Sequence, residues 1–314
     1  MQTRRLQMTS SYKEFDDEGY YHGTLLSTEQ VNDWRKRILE FYFRKYENLE
    51  TSKKQALNPV ESLHELDILK LITQNSVVGA LDQILGDDWV LIPDFNIHIN
   101  SLYLNGWHVD AGSEFMLMRE NFSPWRYDDS LKKIIDPSFR QIKCGIYLQD
   151  NEPGETGGGI DYLSKSHHIY KLTGIRKLDY QLARIISFIY TKFGSHTAAP
   201  TKAGDFLIFD SLLKHKGSHP SVELFEDISD LESDLSVLDC QNWPLNDIKI
   251  VIYFSACTKE KGAEYLKNCH YRINKYGKED PKAQFWREVT EISYPKSYTR
   301  EQILLLQNAR VVPL

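Results

Sequence analysis

The sequence predicts a mostly β protein with flanking helices, built as an antiparallel sandwich or jelly roll. Helical periodicity is concentrated near the two ends of the chain. The middle holds many short segments rich in branched and aromatic residues, separated by turn signals. Segments of the two kinds do not alternate, and this order disfavours a parallel α/β sheet. Because no internal repeat or low-complexity tract divides the chain, we expect one domain over residues 1–314.

Two helices are predicted before the strands. Ser27 and Gln30 have the spacing of a capping box, and apolar residues recur behind them at helical intervals over about five turns. The segment SVVGALDQILG predicts a second helix that ends at Gly86. Roughly the last fifty residues also have a helical pattern, with another capping box from Thr299 to Gln302.

The central segments predict strands. WVLIP and FNIHINSLYL have strand composition, and Pro93 between them predicts a break. AGDFLIFDS and DIKIVIYFSA are two further strand candidates. The segment IKCGIYLQD alternates, so that one face is formed by Ile142, Cys144, Ile146 and Leu148 and the other by Lys143, Gly145, Tyr147 and Gln149.

Two insertions are expected between these strands. The first is lid-like and lies near residues 112–140, since loops of this length in compact domains usually carry a function. The second is acidic and lies near residues 222–246, where a surface loop or short helix is expected and charges facing a cationic substrate are the alternative. Large side chains of the first insertion would either wall a pocket or pack on the sheet. They are Phe115, Met116, Met118, Trp125 and Tyr127.

The composition argues against several classes of function. With 41% hydrophobic residues the chain can bury a sizeable core, and its net charge of −6 argues against binding to a nucleic-acid backbone. No apolar run approaches the roughly 18 residues of a membrane span, and the N-terminus lacks the apolar core of a signal peptide. The four cysteines form no Cys-x-x-Cys pair, which argues against thiolate zinc sites and disulfide frameworks. We therefore expect a soluble cytoplasmic protein with reduced thiols.

The segment LYLNGWHVDAG places an imidazole and a carboxylate two residues apart at the end of a strand-like run. In an extended strand His108 and Asp110 point to the same side, so both side chains can reach one metal ion. The composition would give about one such pair by chance, so an ordinary polar strand end is the alternative. A non-haem Fe(II) site also requires a distant histidine. His215 and His219 are the candidates, whereas His98 is expected to be a core histidine.

Four blocks of the sequence resemble the phytanoyl-CoA hydroxylase (phytanoyl-CoA dioxygenase) family of Fe(II)/2-oxoglutarate-dependent oxygenases. They are YKEFDDEGYYHGTLLSTEQVNDWRKRI, WHVD, CGIYLQDNEPGETGGGIDYLSKSHH and AGDFLIFDSLLKHKGS. The blocks come in the family's order and cover roughly residues 12–256. WHVD is similar to the family's first metal-ligand motif. The last block is similar to the one that carries the distal histidine, and it places that ligand on His215 rather than His219.

The resemblance implies a double-stranded β-helix, the cupin-like form of the jelly roll, with His108, Asp110 and His215 as metal-binding and catalytic residues. It implies Fe(II), 2-oxoglutarate as co-substrate and O2, with hydroxylation of an unactivated C–H bond of a small molecule in natural-product metabolism. Halogenating relatives carry a small residue in place of the carboxylate, so Asp110 favours hydroxylation. Two alternatives stay open: a metal-binding jelly roll without oxygenase activity, and an oxygenase that performs desaturation or cyclisation.

The residues for the co-substrate depart from the family pattern. The family usually supplies an arginine, on a strand after the distal histidine, for the far carboxylate of 2-oxoglutarate. The matching strand NDIKIVIYFSA has no arginine, and Lys249 is the only cation on the face that it shares with Val251 and Tyr253. Lys249 is therefore the predicted anchor, with a surface or rim lysine as the alternative. Asn100 and Thr156 are the other predicted cofactor-binding residues, and a strand-edge amide and an ordinary turn residue are the alternatives.

Overall fold

The computed structural model describes residues 10–46, 56–99, 107–110, 140–151, 159–171, 185–186, 189, 196–199, 201–217, 249–280 and 283–314. The predicted acidic insertion lies outside the described residues, as does the predicted lid apart from Arg140. Asn100, Thr156 and His219 also lie outside them.

Helices occupy most of the chain before the long central strands. They are α1 (Ser10–Glu18), α2 (Thr28–Tyr46), α3 (Pro59–His64), α4 (Leu69–Ile72) and α5 (Asn75–Leu85). The predicted capping box of α2 is confirmed, because the Ser27 amide donates to Oε1 of Gln30 at 2.9 Å and the Gln30 amide donates to Oγ of Ser27 at 3.3 Å. The second predicted helix is α5, and Gly86 ends it with φ of +85°, a conformation that favours glycine.

Two sheets form the centre of the described structure. Their strands are β1 (Tyr20–Thr24), β2 (Ala56–Leu57), β3 (Trp89–Ile99), β4 (Gln141–Tyr147), β5 (Ile160–Leu163), β6 (His196–Ala198), β7 (Asp205–Asp210), β8 (His215–Gly217), β9 (Ile250–Thr258) and β10 (Val312–Pro313). The large sheet has the order β1-β7-β4-β9-β3-β10, with β2 also paired to β3, and the small sheet has the order β6-β5-β8. Neighbouring strands are antiparallel, except that β10 runs parallel to β3.

The chain passes repeatedly from one sheet to the other, as in a jelly roll. β4, β7 and β9 belong to the large sheet, whereas β5, β6 and β8 belong to the small one. Tyr147, Phe209 and Val251 of the large sheet share a buried cluster with Ile160 and Tyr162 of the small sheet, so the two sheets face each other. We call the space between these faces the interior of the roll. The predicted fold, a mostly β jelly roll with flanking helices, is confirmed, and the sheets do not close into a barrel.

The other face of the large sheet packs against helices. Ile142, Cys144, Ile146 and Leu148 lie in the main apolar core together with residues of α2 and α5, as the alternation of this segment predicts. Ile250, Ile252 and Phe254 of β9 belong to the same core. Both central strands therefore turn one face to the helices and the other to the interior of the roll.

Pro93 does not separate two strands, contrary to the prediction. β3 is continuous, and its register with β9 shifts between Ile92 and Asn96. This irregularity explains why a proline is tolerated within a paired strand, since proline has no amide hydrogen to donate to the neighbouring strand.

Three helices follow β9: α6 (Lys259–Tyr276), α7 (Gln284–Glu291) and α8 (Arg300–Ala309). The capping box of α8 is confirmed, since the Gln302 amide donates to Oγ1 of Thr299 at 3.2 Å. The helical pattern did not predict β10, because a strand of two residues is too short to show a period. Within the described part of the chain, no helix is long and apolar enough to cross a membrane.

Candidate metal centre

Strand pairing brings two histidines that are far apart in the sequence to neighbouring positions. The backbone amide of His108 donates to the carbonyl oxygen of His215 at 2.9 Å, and the amide of His215 donates to the carbonyl of His108 at 2.9 Å. His215 begins β8, whose other neighbour is β5. The bridge therefore joins His108 to the edge of the small sheet, so that the His-x-Asp pair lies beside the distal histidine.

The side chains of His108, Asp110 and His215 converge. One potential ligand atom from each residue lies within 4.8 Å of the other two. Nε2 of His108 lies 3.7 Å from Oδ1 of Asp110, and Nε2 of His215 lies 3.6 Å from Oδ2 of the same carboxylate. No other group of three such side chains is found among the described residues.

The type and spacing of these donors fit a divalent metal ion. Ligands about 2.1 Å from a metal and at right angles to each other lie about 3 Å apart, so small side-chain movements would complete one face of an octahedron. Two imidazoles and one carboxylate leave three positions open. The side chain of His215 is 6% exposed, whereas those of His108 and Asp110 are 37% and 31% exposed. His215 therefore lies on the buried side of the centre, and solvent reaches the side formed by His108 and Asp110.

The surroundings of His215 fix its tautomer and its orientation. Its Nδ1 lies 2.9 Å from the carbonyl oxygen of Leu213. Because a carbonyl oxygen only accepts hydrogen bonds, Nδ1 carries the hydrogen and the lone pair is on Nε2, which faces Asp110. The imidazole also packs edge-on against the ring of Phe209, with 4.8 Å between the centroids.

The local electrostatics favour the protonation states that bind a metal. Burial lowers the pKa of His215, although the charge of Asp110 opposes this effect. Burial raises the pKa of Asp110, but its electrostatic interactions with His215, Lys143 and neighbouring histidines outweigh burial and hold that pKa below its ordinary value. A neutral His215 and an ionised Asp110 at neutral pH are the forms required of ligands.

Polar side chains of the large sheet line the interior of the roll near these ligands. The ring of His98 contacts the ring of Tyr253 edge-on, with 5.1 Å between the centroids. Burial, and then the charge of Lys143, lower the pKa of His98 to about 4. Asp94 accepts hydrogen bonds from Nζ of Lys143 at 3.2 Å and from Oγ of Ser255 at 2.6 Å. This face of the large sheet therefore combines apolar residues with polar groups held in fixed hydrogen bonds.

The structure describes one of the three predicted co-substrate residues. Lys249 immediately precedes β9, and its Nζ donates to the carbonyl oxygen of Asp150 at 3.3 Å, at the rim of the roll. Its role as a carboxylate anchor stays a prediction. Asn100 and Thr156 lie outside the described residues, so their roles also stay predictions.

Two interior residues, Asp94 and Lys143, were not singled out from the sequence. A signal was present, since the alternation of IKCGIYLQD sets Lys143 on the face opposite its apolar residues. A polar face on a strand ordinarily indicates contact with water. Here the small sheet covers that face, so Lys143 points into the interior, which the pattern of one strand does not reveal.

The chain matches no protein-family model and no curated protein. Among solved structures, AviO1 from Streptomyces viridochromogenes is 13% identical, with a TM-score of 0.49 over 82% of this chain and 97% of that one. SnoK, a non-heme alpha-ketoglutarate-dependent carbocyclase from nogalamycin biosynthesis, is 12% identical, with a TM-score of 0.49 over 82% of this chain and 86% of that one. EctD from S. alaskensis, crystallised with 2-oxoglutarate and 5-hydroxyectoine, is 14% identical, with a TM-score of 0.49 over 83% of this chain and 80% of that one.

A fourth structure, EvdMO1, is 15% identical, with a TM-score of 0.49 over 81% of this chain. The match covers 51% of that protein, so this chain spans about half of its length. At these levels of similarity the solved structures identify neither the family nor the activity of this chain. Membership of the phytanoyl-CoA hydroxylase family stays a prediction.

Proposed function

We propose that this protein is an Fe(II)- and 2-oxoglutarate-dependent dioxygenase that hydroxylates an unactivated C–H bond of a small molecule. The observation that carries the proposal is the convergence of His108, Asp110 and His215, with one donor atom from each within 4.8 Å of the others. This donor set suits non-haem Fe(II), because it leaves three adjacent positions for co-substrate and O2.

The residues of the centre have distinct roles in this proposal. Nε2 of each histidine and the carboxylate of Asp110 hold the metal, and the carbonyl of Leu213 keeps the His215 ring in the required orientation. Fe(II) bound there would supply the redox chemistry that converts 2-oxoglutarate to succinate and CO2 while one oxygen atom of O2 enters the substrate C–H bond. Because Asp110 occupies the position that a halide would need, hydroxylation is favoured over halogenation.

The interior of the roll suits this chemistry. Phe209 packs against the His215 ring and belongs to the same buried apolar cluster as Val251, which helps to exclude water from the buried side of the centre. The exposed side of His108 and Asp110 leaves an approach for a small-molecule substrate. Apolar walls that meet a few fixed polar groups are typical of small-molecule sites.

Metal binding is tested first, by anaerobic titration of the metal-free protein with Fe(II) and measurement of bound iron. We expect one Fe(II) per chain, and His108→Ala, Asp110→Ala or His215→Ala should each weaken binding by more than the roughly 10–100-fold cost of losing an outer partner. His22→Ala is the matched control, since Nε2 of His22 lies 2.9 Å from a carboxylate oxygen of Asp205 and no third such side chain joins them within the part of the chain that the structure describes. Absence of iron binding, or loss of binding only in the control, would contradict the proposal.

Catalysis is tested by measuring succinate formed from 2-oxoglutarate in the presence of Fe(II) and O2. We expect succinate that depends on all three and disappears in Asp110→Ala. If iron binds and no succinate forms with or without candidate small molecules, the protein is a metal-binding jelly roll without oxygenase activity. Mass spectrometry of the product then separates hydroxylation, which adds one oxygen atom, from desaturation or cyclisation, which remove two hydrogens.

A further inference from the structure

A lysine lies on the interior face of the roll close to the candidate metal centre. Lys143 occupies the middle of β4, where it pairs with Phe209 of β7 on one side and with Ser255 of β9 on the other. Alternate residues of a strand share a face, so Lys143 lies on the same face as Tyr147, which packs against the small sheet. Lys143 therefore extends into the space between the sheets and not towards the helices.

The position of Lys143 relative to the triad follows from its neighbours. Phe209, its cross-strand partner, is the residue against which the His215 ring packs at 4.8 Å. Burial has the largest effect on the pKa of both Asp110 and His215, and the Lys143 charge contributes to lowering each of them. Lys143 is thus a near neighbour of the metal ligands without being one of them.

The structure holds the Lys143 ammonium group in place while leaving it able to bind a ligand. Its Nζ lies 3.2 Å from Oδ2 of Asp94, which is 3% exposed. Asp94 also accepts from the Ser255 amide at 2.8 Å and from the Ser255 hydroxyl at 2.6 Å, so its charge is already well hydrogen-bonded. An ammonium group has three donors, and the Lys143 side chain is 18% exposed, so donors remain for a second anion.

We propose that Lys143 binds the distal carboxylate of the 2-oxo dicarboxylate co-substrate, the role that the sequence assigns to Lys249. The assignment rests on the proposed function, in which the 2-oxo acid end of the same molecule binds the metal. Two methylene groups separate the ends of 2-oxoglutarate, so its anchor must lie a short distance from the metal within the interior. Asp94 acts as a positioning residue that directs the ammonium group towards that anion.

The two lysines lie on opposite sides of Tyr253 along β9. Tyr253 contacts His98 next to the triad, and Lys249 precedes it by four residues, about 13 Å along an extended strand. Ser255, the cross-strand partner of Lys143, follows Tyr253 by two residues, about 7 Å. Lys143 therefore lies nearer to Tyr253 and the triad than Lys249 does. Lys249 instead donates to a backbone carbonyl at the rim of the roll.

The experiment compares two ligands on the Fe(II)-loaded protein under anaerobic conditions, with affinities measured by calorimetry. 2-Oxoglutarate carries the distal carboxylate, and pyruvate has the same 2-oxo acid group without it. We expect Lys143→Met to weaken 2-oxoglutarate binding by about tenfold or more and to leave pyruvate binding within about twofold. Lys216→Met is the matched control, since Lys216 follows His215, is 19% exposed and pairs with Asp161 at 3.5 Å. It should change neither affinity.

A double variant controls for misfolding of the Lys143→Met variant. Lys143→Met leaves the Asp94 carboxylate without its cation, whereas Lys143→Met combined with Asp94→Asn removes both charges and should show the same selective loss of 2-oxoglutarate binding. Any of three results would overturn the assignment of Lys143 while leaving the proposed function intact. They are 2-oxoglutarate affinity within about twofold of the wild type in both variants, an equal loss of pyruvate binding, and a selective loss of 2-oxoglutarate binding in Lys249→Met instead. If the wild-type protein binds Fe(II) but not 2-oxoglutarate, the proposed function fails as well.

Discussion

His98 provides a quantitative test of the electrostatics inside the roll. Its ring contacts Tyr253, and burial lowers its pKa from 6.5 to about 4. The charge of Lys143 contributes to the lowering, and the charge of Asp110 opposes it. We expect that removal of this imidazole will make the metal-free protein less sensitive to acid.

The sign and size of the effect follow from proton linkage. Above pH 6.5 the imidazole is neutral in both the folded and the unfolded chain, so it does not affect the pH dependence of stability. Between pH 6.5 and about 4 the unfolded chain binds a proton that the folded protein does not bind, so the free energy of unfolding falls as the pH falls. A difference of about 2.5 pKa units corresponds to about 3 kcal/mol in total, of which about 2 kcal/mol is lost between pH 7 and pH 5.

The measurement is urea unfolding of the metal-free protein at pH 7 and at pH 5. We expect the wild-type protein to lose about 2 kcal/mol more than His98→Gln or His98→Phe over this interval. His98→Phe retains an aromatic ring beside Tyr253, so agreement between the two variants assigns the effect to the proton and not to the ring contact. If both variants lose as much stability as the wild-type protein within about 0.5 kcal/mol, His98 is not held neutral by its surroundings.

Four further outcomes can be measured by thermal or urea unfolding. Gly79→Ala should stabilise the protein by about 0.5–1 kcal/mol, because the new methyl group on α5 meets no atom within 4 Å. Gly204→Ala should destabilise it by about 2 kcal/mol or more, because φ is +93° and the new Cβ would lie 2.4 Å from the carbonyl oxygen of Leu26; equal effects of the two substitutions would contradict this reasoning. Thr299→Ala should cost about 1 kcal/mol through loss of the α8 cap, and an unchanged urea midpoint would show that the cap is dispensable. Fe(II) at about 100 times its dissociation constant should stabilise the wild-type protein by about 3 kcal/mol and leave Asp110→Ala unchanged, whereas equal stabilisation would place the metal elsewhere.

The fold could be predicted from the sequence because packing imposes a period on each element. The alternation from Ile142 to Leu148 reports a strand with one face on the main core, and the structure confirms that face. The capping boxes at Ser27 and Thr299 are local signals, and both are confirmed. The break expected at Pro93 was wrong, because an irregularity in the pairing of β3 and β9 accommodates the proline, and pairing between distant strands is not visible in one segment.

The candidate site shows the same division between local and long-range information. The spacing of His108 and Asp110 is local, and a strand of period two is sufficient to point both side chains to one side. The partnership with His215 depends on the pairing of two distant segments, for which the sequence offered only a resemblance to a family. The position of Lys143 depends on the second sheet that covers its face, so a pattern typical of solvent contact instead marks the interior of the roll.

The protonation state of His98 affects the need for a cation at Lys143. A dicarboxylate bound at the metal brings two negative charges into a space that already contains Asp110 and Asp94. If His98 were protonated at neutral pH, it could supply a compensating positive charge, and Lys143 would not be required for that purpose. Its pKa of about 4 makes it neutral there, and among the described residues Lys143 is then a nearby cation that contributes to the pKa values of both Asp110 and His215. A wild-type protein whose acid sensitivity matched that of His98→Gln would therefore weaken the case for Lys143 as the anchor, even before any ligand is added.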